Sequence, residues 1–360
     1  MIAAHWQQVA QGDPRVVDRW LKALDQDVIV ADARLCIALG WTSMLTGRFE
    51  AVEPLLEAAE RNPLRGAAPD MLGTLSGKVA LTRASLAYMR GNVGRTEAMA
   101  AIAAEEEAPA ARFLAGMMLG AARYFAGDRD AAVAALEPTH FALQQAPQPQ
   151  MLLTTLGLLA AARLDAGDTD TGTRLVTEAE QLIDEFGFAE APTASLAHTA
   201  AGMLAETRGD LDEADRLYER AAVLAARAAW PLDHAHALLA QATMRRRRRD
   251  VSGARALARE ARAVVDACPD PAALADRLAA LERALQLAPG APRDRLDEEL
   301  SERELTVLRL LATELSQREI GNELFVSLNT VKSHSRTLFR KLGVSSRAEA
   351  VERGRELGLL

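Results

Sequence analysis

Gly209-Asp210-Leu211-Asp212-Glu213-Ala214-Asp215-Arg216-Leu217-Tyr218-Glu219-Arg220-Ala221-Ala222-Val223-Leu224 contains a helix stop, a helix start and an apolar stripe in sixteen consecutive positions. Glycine adopts the left-handed conformation that ends a helix at little steric cost. The aspartate after it caps the next helix by accepting from free backbone N–H groups. Ala214, Leu217, Ala221 and Leu224 then recur at helical spacing along one face. The small residue five positions after the glycine lets the second helix lie close against the first.

The same grammar extends outward in both directions. Gly47, Gly91, Gly127 and Gly167 occupy the slot of Gly209, and Arg249 stands there in a sixth copy, at intervals of 44, 36, 40, 42 and 40 residues. Gly127-Asp128, Gly167-Asp168 and Arg249-Asp250 repeat the stop-and-cap pair, and Val52, Thr96, Ala132, Gly172 and Ala254 repeat the small or branched residue five positions on. A lone hairpin cannot bury such a stripe, so neighbouring hairpins must stack. The expected fold is all-α: an α-solenoid of helix hairpins over residues 1–287. Its period near 40 exceeds the roughly 34 residues of a standard tetratricopeptide repeat. The array resembles the tetratricopeptide-like superhelical domains of MalT-type bacterial regulators, which implies a sensor or interaction domain.

Composition agrees with helices packed through small and straight-chain residues. The 360 residues are 49% hydrophobic and 26% charged but only 4% aromatic. Cys36 and Cys268 are the only cysteines, which excludes a disulfide framework and a cysteine-based zinc site and fits a reducing compartment. No apolar run reaches the roughly 18 residues of a membrane span, and Met1-Ile2-Ala3-Ala4-His5-Trp6-Gln7 lacks the pattern of a signal peptide. The expectation is a cytoplasmic bacterial protein, nucleoid-associated when bound to DNA, with no membrane partner.

Ala288-Pro289-Gly290-Ala291-Pro292-Arg293 breaks helical structure, and we place a linker at 288–296 before a second domain at 297–360. That domain reads as four short helices near 302–314, 317–324, 328–342 and 347–357. Ser301/Glu304, Ser316/Glu319 and Ser346/Glu349 are capping boxes, and Ser327 starts the third helix. Leu300/Leu305, Leu315/Ile320 and Val326/Val331 stand as hydrophobic staples, and Gly343 ends the third helix.

The third helix carries the functional signal. Val331, Leu338 and Leu342 give it a buried face, while Asn329, Lys332, Ser333, Arg336 and Arg340 lie on the other side. The stretch 328–342 holds four basic residues and no acid, a local charge of +4 in a chain whose net charge is −8. DNA binding needs a local positive footprint of this kind rather than a basic protein. A helix packed across a polar, basic partner helix is the helix-turn-helix arrangement, with the second helix in the major groove.

Leu300-Ser301-Glu302-Arg303-Glu304, Leu315-Ser316-Gln317-Arg318-Glu319-Ile320, Asn329-Thr330-Val331-Lys332-Ser333-His334 and Arg340-Lys341-Leu342-Gly343-Val344 together resemble the LuxR-type (GerE/NarL) DNA-binding domain. The resemblance implies that Lys332, Ser333 and Arg336 read bases and that Thr330, Arg340 and Lys341 hold phosphates. Arginine and lysine can indeed donate to guanine O6 and N7, whereas serine discriminates less. The resemblance further implies a transcriptional activator that recruits RNA polymerase. The fourth helix, with Ala350, Val351 and Leu357, either dimerises on DNA or completes the core of the small domain. Glu314, Gly321 and Ser335 depart from the family pattern, where glycine, alanine and an aliphatic residue are usual. The rival reading is a repeat-protein scaffold whose helix-turn-helix docks a protein rather than DNA.

Other signals point to no enzyme. Gly73-Thr74-Leu75-Ser76-Gly77-Lys78-Val79 imitates a phosphate loop, but its glycines are one residue too close and Val79 offers no magnesium-binding hydroxyl. Arg245 to Arg249 read as the basic close of a helix, with an auxiliary DNA contact left open. His234 and His236 diverge on a helix, and Glu105-Glu106-Glu107 reads as a solvated helix end. No catalytic constellation, metal site or cofactor site is expected, and the effector of the repeat domain is not named by its sequence.

Overall fold

The computed structural model describes residues 14–62, 73–145, 148–286, 300–313, 315–324, 326–342, 344, 346–356 and 359–360. The opening stretch Met1 to Gln7, the linker placed at 288–296, and Glu314, Gly343 and Leu357 lie outside the described residues. The chain divides into two units, Met1–Met244 with Leu257–Leu278, and Arg245–Ala256 with Ala279–Leu360.

Two short helices, α1 (Pro14–Lys22) and α2 (Gln26–Val30), lead into five helix hairpins. These are α3 (Ala33–Leu45) with α4 (Val52–Arg61), α5 (Leu75–Met89) with α6 (Val93–Ala104), α7 (Pro109–Ala126) with α8 (Arg129–Gln144), α9 (Pro149–Asp165) with α10 (Thr169–Phe186), and α11 (Ser195–Thr207) with α12 (Leu211–Ala228). Helices α13 (Pro231–Arg247), α14 (Val251–Asp266) and α15 (Ala273–Gln286) follow. An isolated bridge joins Asn92 and Asp270, and no strand forms among the described residues. The expected all-α repeat fold is therefore the observed one.

The two helices of a hairpin differ in how they are buried. The first helices pack on one another in a row, α3 on α5 on α7 on α9 on α11. They are apolar around much of their circumference: α9 buries Leu153, Leu156, Leu158, Leu159 and Ala160 to Ala162. The second helices bury one stripe and leave the rest to water, as a surface helix does. In α12 that stripe is Ala214, Tyr218, Ala221 and Leu224, with Leu217 partly buried beside it.

The glycine turn is realised in all five glycine copies, and the side-chain cap in every copy but the first, where Arg48 follows Gly47 and does not cap. Gly47, Gly91, Gly127, Gly167 and Gly209 all have positive φ, from +72° to +89°. Asn92, Asp128, Asp168, Asp210 and Asp250 accept from the backbone N–H three residues on, at 2.9–3.1 Å. Val52, Thr96, Ala132, Gly172, Ala214 and Ala254 are all buried.

Arg249, in the sixth slot, has φ +66°, a left-handed conformation imposed on a residue with a Cβ. That conformation costs an ordinary residue roughly 1–2 kcal/mol, against roughly 0.5–1 kcal/mol of extra unfolded-state entropy for glycine. Arg249→Gly is therefore expected to stabilise the protein by about 0.5–1 kcal/mol, read as a higher urea midpoint with an unchanged slope.

The other motifs take structural roles. The phosphate-loop imitation forms the start of α5: Thr74 caps the helix, accepting from Gly77 N at 3.1 Å. The Glu106 carboxylate accepts from Thr74 N at 2.9 Å and from the Thr74 hydroxyl, filling the place an anion would take. Glu106 is thus an internal partner of the next-door helix rather than part of a purely solvated end. His236 is buried between the Tyr124 hydroxyl, 3.1 Å away, and Arg277, 3.0 Å away, while His234 faces Glu260. Both cysteines are buried thiols donating to backbone carbonyls, Cys36 to Ile29 and Cys268 to Val264, and burial pushes the Cys268 thiol up to about 11. No helix of the described residues is long and apolar enough to cross a membrane.

Candidate nucleic-acid interface

The C-terminal helices are α16 (Glu302–Leu311), α17 (Gln317–Glu323), α18 (Leu328–Leu342) and α19 (Arg347–Glu356). Ser301 and Glu304 close a complete capping box, as do Ser316 and Glu319. Ser327 Oγ accepts from Thr330 N at 3.1 Å and Ser346 Oγ from Glu349 N at 3.2 Å. The core beneath them joins Val307, Leu308, Leu311, Ile320, Val331, Leu338, Leu342 and Ala350.

Helix α17 and helix α18 meet tightly. Val326 N donates to Gly321 O at 2.9 Å. A Cβ on Gly321 would stand 3.0 Å from Val326 O and 3.5 Å from Val331 Cγ2. The departure from alanine at this position thus sits where the turn approaches the helix most closely.

Along α18, Val331, Ser335, Leu338 and Leu342 form the buried stripe. At about 100° per residue, Lys332, Ser333, Arg336 and Arg340 project from the opposite arc, and all four are exposed. Lys332 and Arg336 form no ion pair with any described residue. Thr330 is half-buried at the N-terminus, its hydroxyl 2.7 Å from Ser327 Oγ in the cap.

Lys341 lies elsewhere. Its Nζ is 2.9 Å from Glu304 Oε2, with side-chain exposures of 14% and 7%. The structure therefore brings Lys332, Ser333, Arg336 and Arg340 onto one face and places Lys341 in an internal ion pair. Burial alone would raise the Glu304 carboxyl. The Lys341 ammonium, together with the Ser301 N–H and hydroxyl, outweighs it and holds the carboxyl below the usual carboxylate range.

Two features of the scaffold escape a local reading. The Arg347 guanidinium donates to the carbonyls of Leu311, Thr313 and Leu315 at 2.9, 2.6 and 2.7 Å. These carbonyls lie at and just beyond the end of α16, so α16 stops at Leu311 rather than at the expected 314, and the connection to α17 is pinned from α19. Nothing in the immediate neighbourhood of Arg347 announces partners more than thirty residues away.

Ser335 is the second feature. It is 2% exposed, on the core stripe, and its Oγ has no hydrogen-bond partner among the described residues. A buried unpaired hydroxyl costs about 1–3 kcal/mol. Ser335→Ala is expected to raise stability by about 1 kcal/mol, seen in thermal unfolding, with DNA binding unchanged because the residue faces away from the exposed arc.

The sequence family described as "Bacterial regulatory proteins, luxR family" matches residues 298–353. These residues form a LuxR-family helix-turn-helix domain. The nitrate/nitrite response regulator protein homolog of Haemophilus influenzae is 51% identical over 53 residues, 15% of this chain and 26% of that protein. The HTH-type transcriptional regulator MalT of Yersinia pestis is 45% identical over 58 residues, 16% of this chain and 6% of that protein. The alignments thus span about a quarter or less of these curated relatives, and the likeness is that of the LuxR-family domain. A crystal structure of a Rap protein complexed with competence and sporulation factor is similar in fold. It has a TM-score of 0.57 at 11% identity, covering 99% of this chain and 93% of that one.

Within the LuxR-family domain the fourth helix α19 packs into the core through Ala350, with Val351 partly buried against it.

Proposed function

We propose that this chain is a sequence-specific DNA-binding transcriptional regulator, with a repeat domain at 1–287 joined by a linker at 288–296 to the DNA-binding domain at 297–360. One observation carries the reading: the exposed arc of α18 gathers Lys332, Ser333, Arg336 and Arg340 in a helix with no acidic residue. Phosphates would repel acids there, and a helix with this profile fits the major groove.

In this reading Lys332 and Arg336 donate to guanine O6 and N7, with Ser333 beside them. Thr330, at the helix N-terminus, and Arg340 lie toward the phosphates, where a helix N-terminus also favours anions. Lys341 contributes through its ion pair, holding the far end of α18 onto α16 by way of Glu304. The regulator acts as an activator, with RNA polymerase as the partner it recruits, binds double-stranded promoter DNA as a homodimer, and takes an effector on the repeat domain.

The test is selection of binding sites from random duplex DNA, followed by affinity measurements on the enriched site and a scrambled one across a salt series. A specific reader enriches one site, prefers it over the scramble at every salt concentration, and loses affinity linearly in log–log salt. Absence of both enrichment and salt dependence would support the protein-docking scaffold instead.

A further inference from the structure

Within the repeat domain a half-open cavity of about 160 Å³ is walled by apolar and aromatic side chains, among them Trp41, Tyr88, Met117, Met118 and Trp230, and it contains one acid, Asp233. Asp233 is 1% exposed. The Tyr88 hydroxyl donates to one of its oxygens and the Ser195 hydroxyl to the other, at 3.0 Å for Ser195. Among the described residues no lysine, arginine or histidine lines the cavity, and Asp233 forms no ion pair with any of them.

This is an unusual place for a carboxyl. A buried acid is normally paired with a cation, because an isolated charge out of water is costly. Two hydroxyl donors occupy two of the roughly four acceptor positions of a carboxylate, leaving room for another donor. Aromatic faces attract cations, best of all those of tryptophan. Methionine walls accommodate apolar bodies of varied shape. The volume sets the scale, since a dry cavity of about 150 Å³ holds a benzene molecule.

We propose that this cavity is a binding site for a small organic amine, protonated and carrying one aryl or short alkyl group, with its ammonium on Asp233 and its body among the tryptophans and methionines. The ligand supplies a full positive charge where the fold provides only two hydroxyl donors and the N-terminal turn of α13, and it displaces no internal partner. The proposal deepens the reading of the repeat domain as the sensing half of the protein. Because binding is scored on the full chain without DNA, its failure is distinct from a failure of DNA recognition.

The probes are phenethylamine, the neutral 2-phenylethanol and the anionic 3-phenylpropionate, titrated calorimetrically and by tryptophan fluorescence, to which Trp41 and Trp230 of the cavity contribute two of the four tryptophans of the chain. The expected order is amine over alcohol by at least about tenfold, with no binding of the anion, as a charge-assisted contact to a buried acid implies. Asp233→Asn should weaken the amine by at least about tenfold while changing the alcohol less than about twofold. Thr154→Phe narrows the cavity while keeping Asp233, and should abolish binding of both amine and alcohol without lowering the melting temperature by more than a few degrees. This variant decides the matter if the Asp233 variant does not fold. Equal affinity for amine and alcohol, no heat or fluorescence change with the amine at millimolar concentration, or an amine affinity untouched by the folded variants would overturn the proposal.

Discussion

Replacing Lys332 and Arg336 together by alanine is expected to erase the preference for the selected DNA site while leaving the protein folded. Each missing base-reading side chain should cost about 1–3 kcal/mol, so the pair removes roughly 2–6 kcal/mol of specific binding, or about 30-fold to 10⁴-fold in affinity. Both side chains stand exposed on the arc opposite Val331, Ser335 and Leu338, and neither has an ion-pair partner among the described residues. Stability should therefore move by less than about 0.5 kcal/mol, as for surface substitutions generally. Fluorescence anisotropy on the selected and scrambled duplexes at one salt concentration separates the two effects. Specific affinity should fall to the scrambled level, while scrambled affinity falls only by the loss of two charges. A folded double variant that kept its full site preference would remove α18 from the role assigned to it.

Arg347→Ala should produce a large loss of stability in the DNA-binding domain. One guanidinium donates to three carbonyls at the end of α16 and in the turn beyond it. Hydrogen bonds to a charged group contribute about 1.5–3 kcal/mol, and the abandoned carbonyls are only partly rescued by water, so a loss of about 2–4 kcal/mol is expected. Arg347→Lys should recover little, because a single ammonium lacks the planar fork that reaches several acceptors at once. Hydrogen exchange reads the effect where it occurs: amides of α16, α17 and α18 should lose protection, and those of the repeat hairpins should not. DNA affinity should fall with it, since α18 would lose the fixed scaffold on which its exposed arc depends. A variant with wild-type protection across 302–342 would show that the α16–α17 turn holds itself together.

These expectations differ in how far they could be drawn from the amino-acid order. Lys332, Ser333 and Arg336 are legible because a helical period, a serine cap and an absence of acids are all local properties. Thr330 beside its Ser327 cap is legible in the same way, whereas Lys341 is legible as a helix residue but its surroundings are not. Thr330 spends its hydroxyl on the cap with Ser327, and Lys341 turns inward to Glu304, thirty-seven positions earlier in the chain. The departure at Ser335 is visible as an unusual residue, whereas its unpaired hydroxyl becomes visible only once the helix is packed.

The amino-acid order by itself determined where the capped helices begin, where the glycine turns end them, and which stripe the amphipathic helices bury. Left-handed glycines, aspartate caps and apolar spacing act over a few residues, within reach of one turn of chain. The tertiary structure alone decided which distant groups share a space. It joined Arg347 to the end of α16, and Tyr88 to Asp233 across 145 positions. It also opened an apolar cavity around that buried acid. Such meetings follow from the stacking of hairpins, whose side chains come together at sequence separations that no local period encodes.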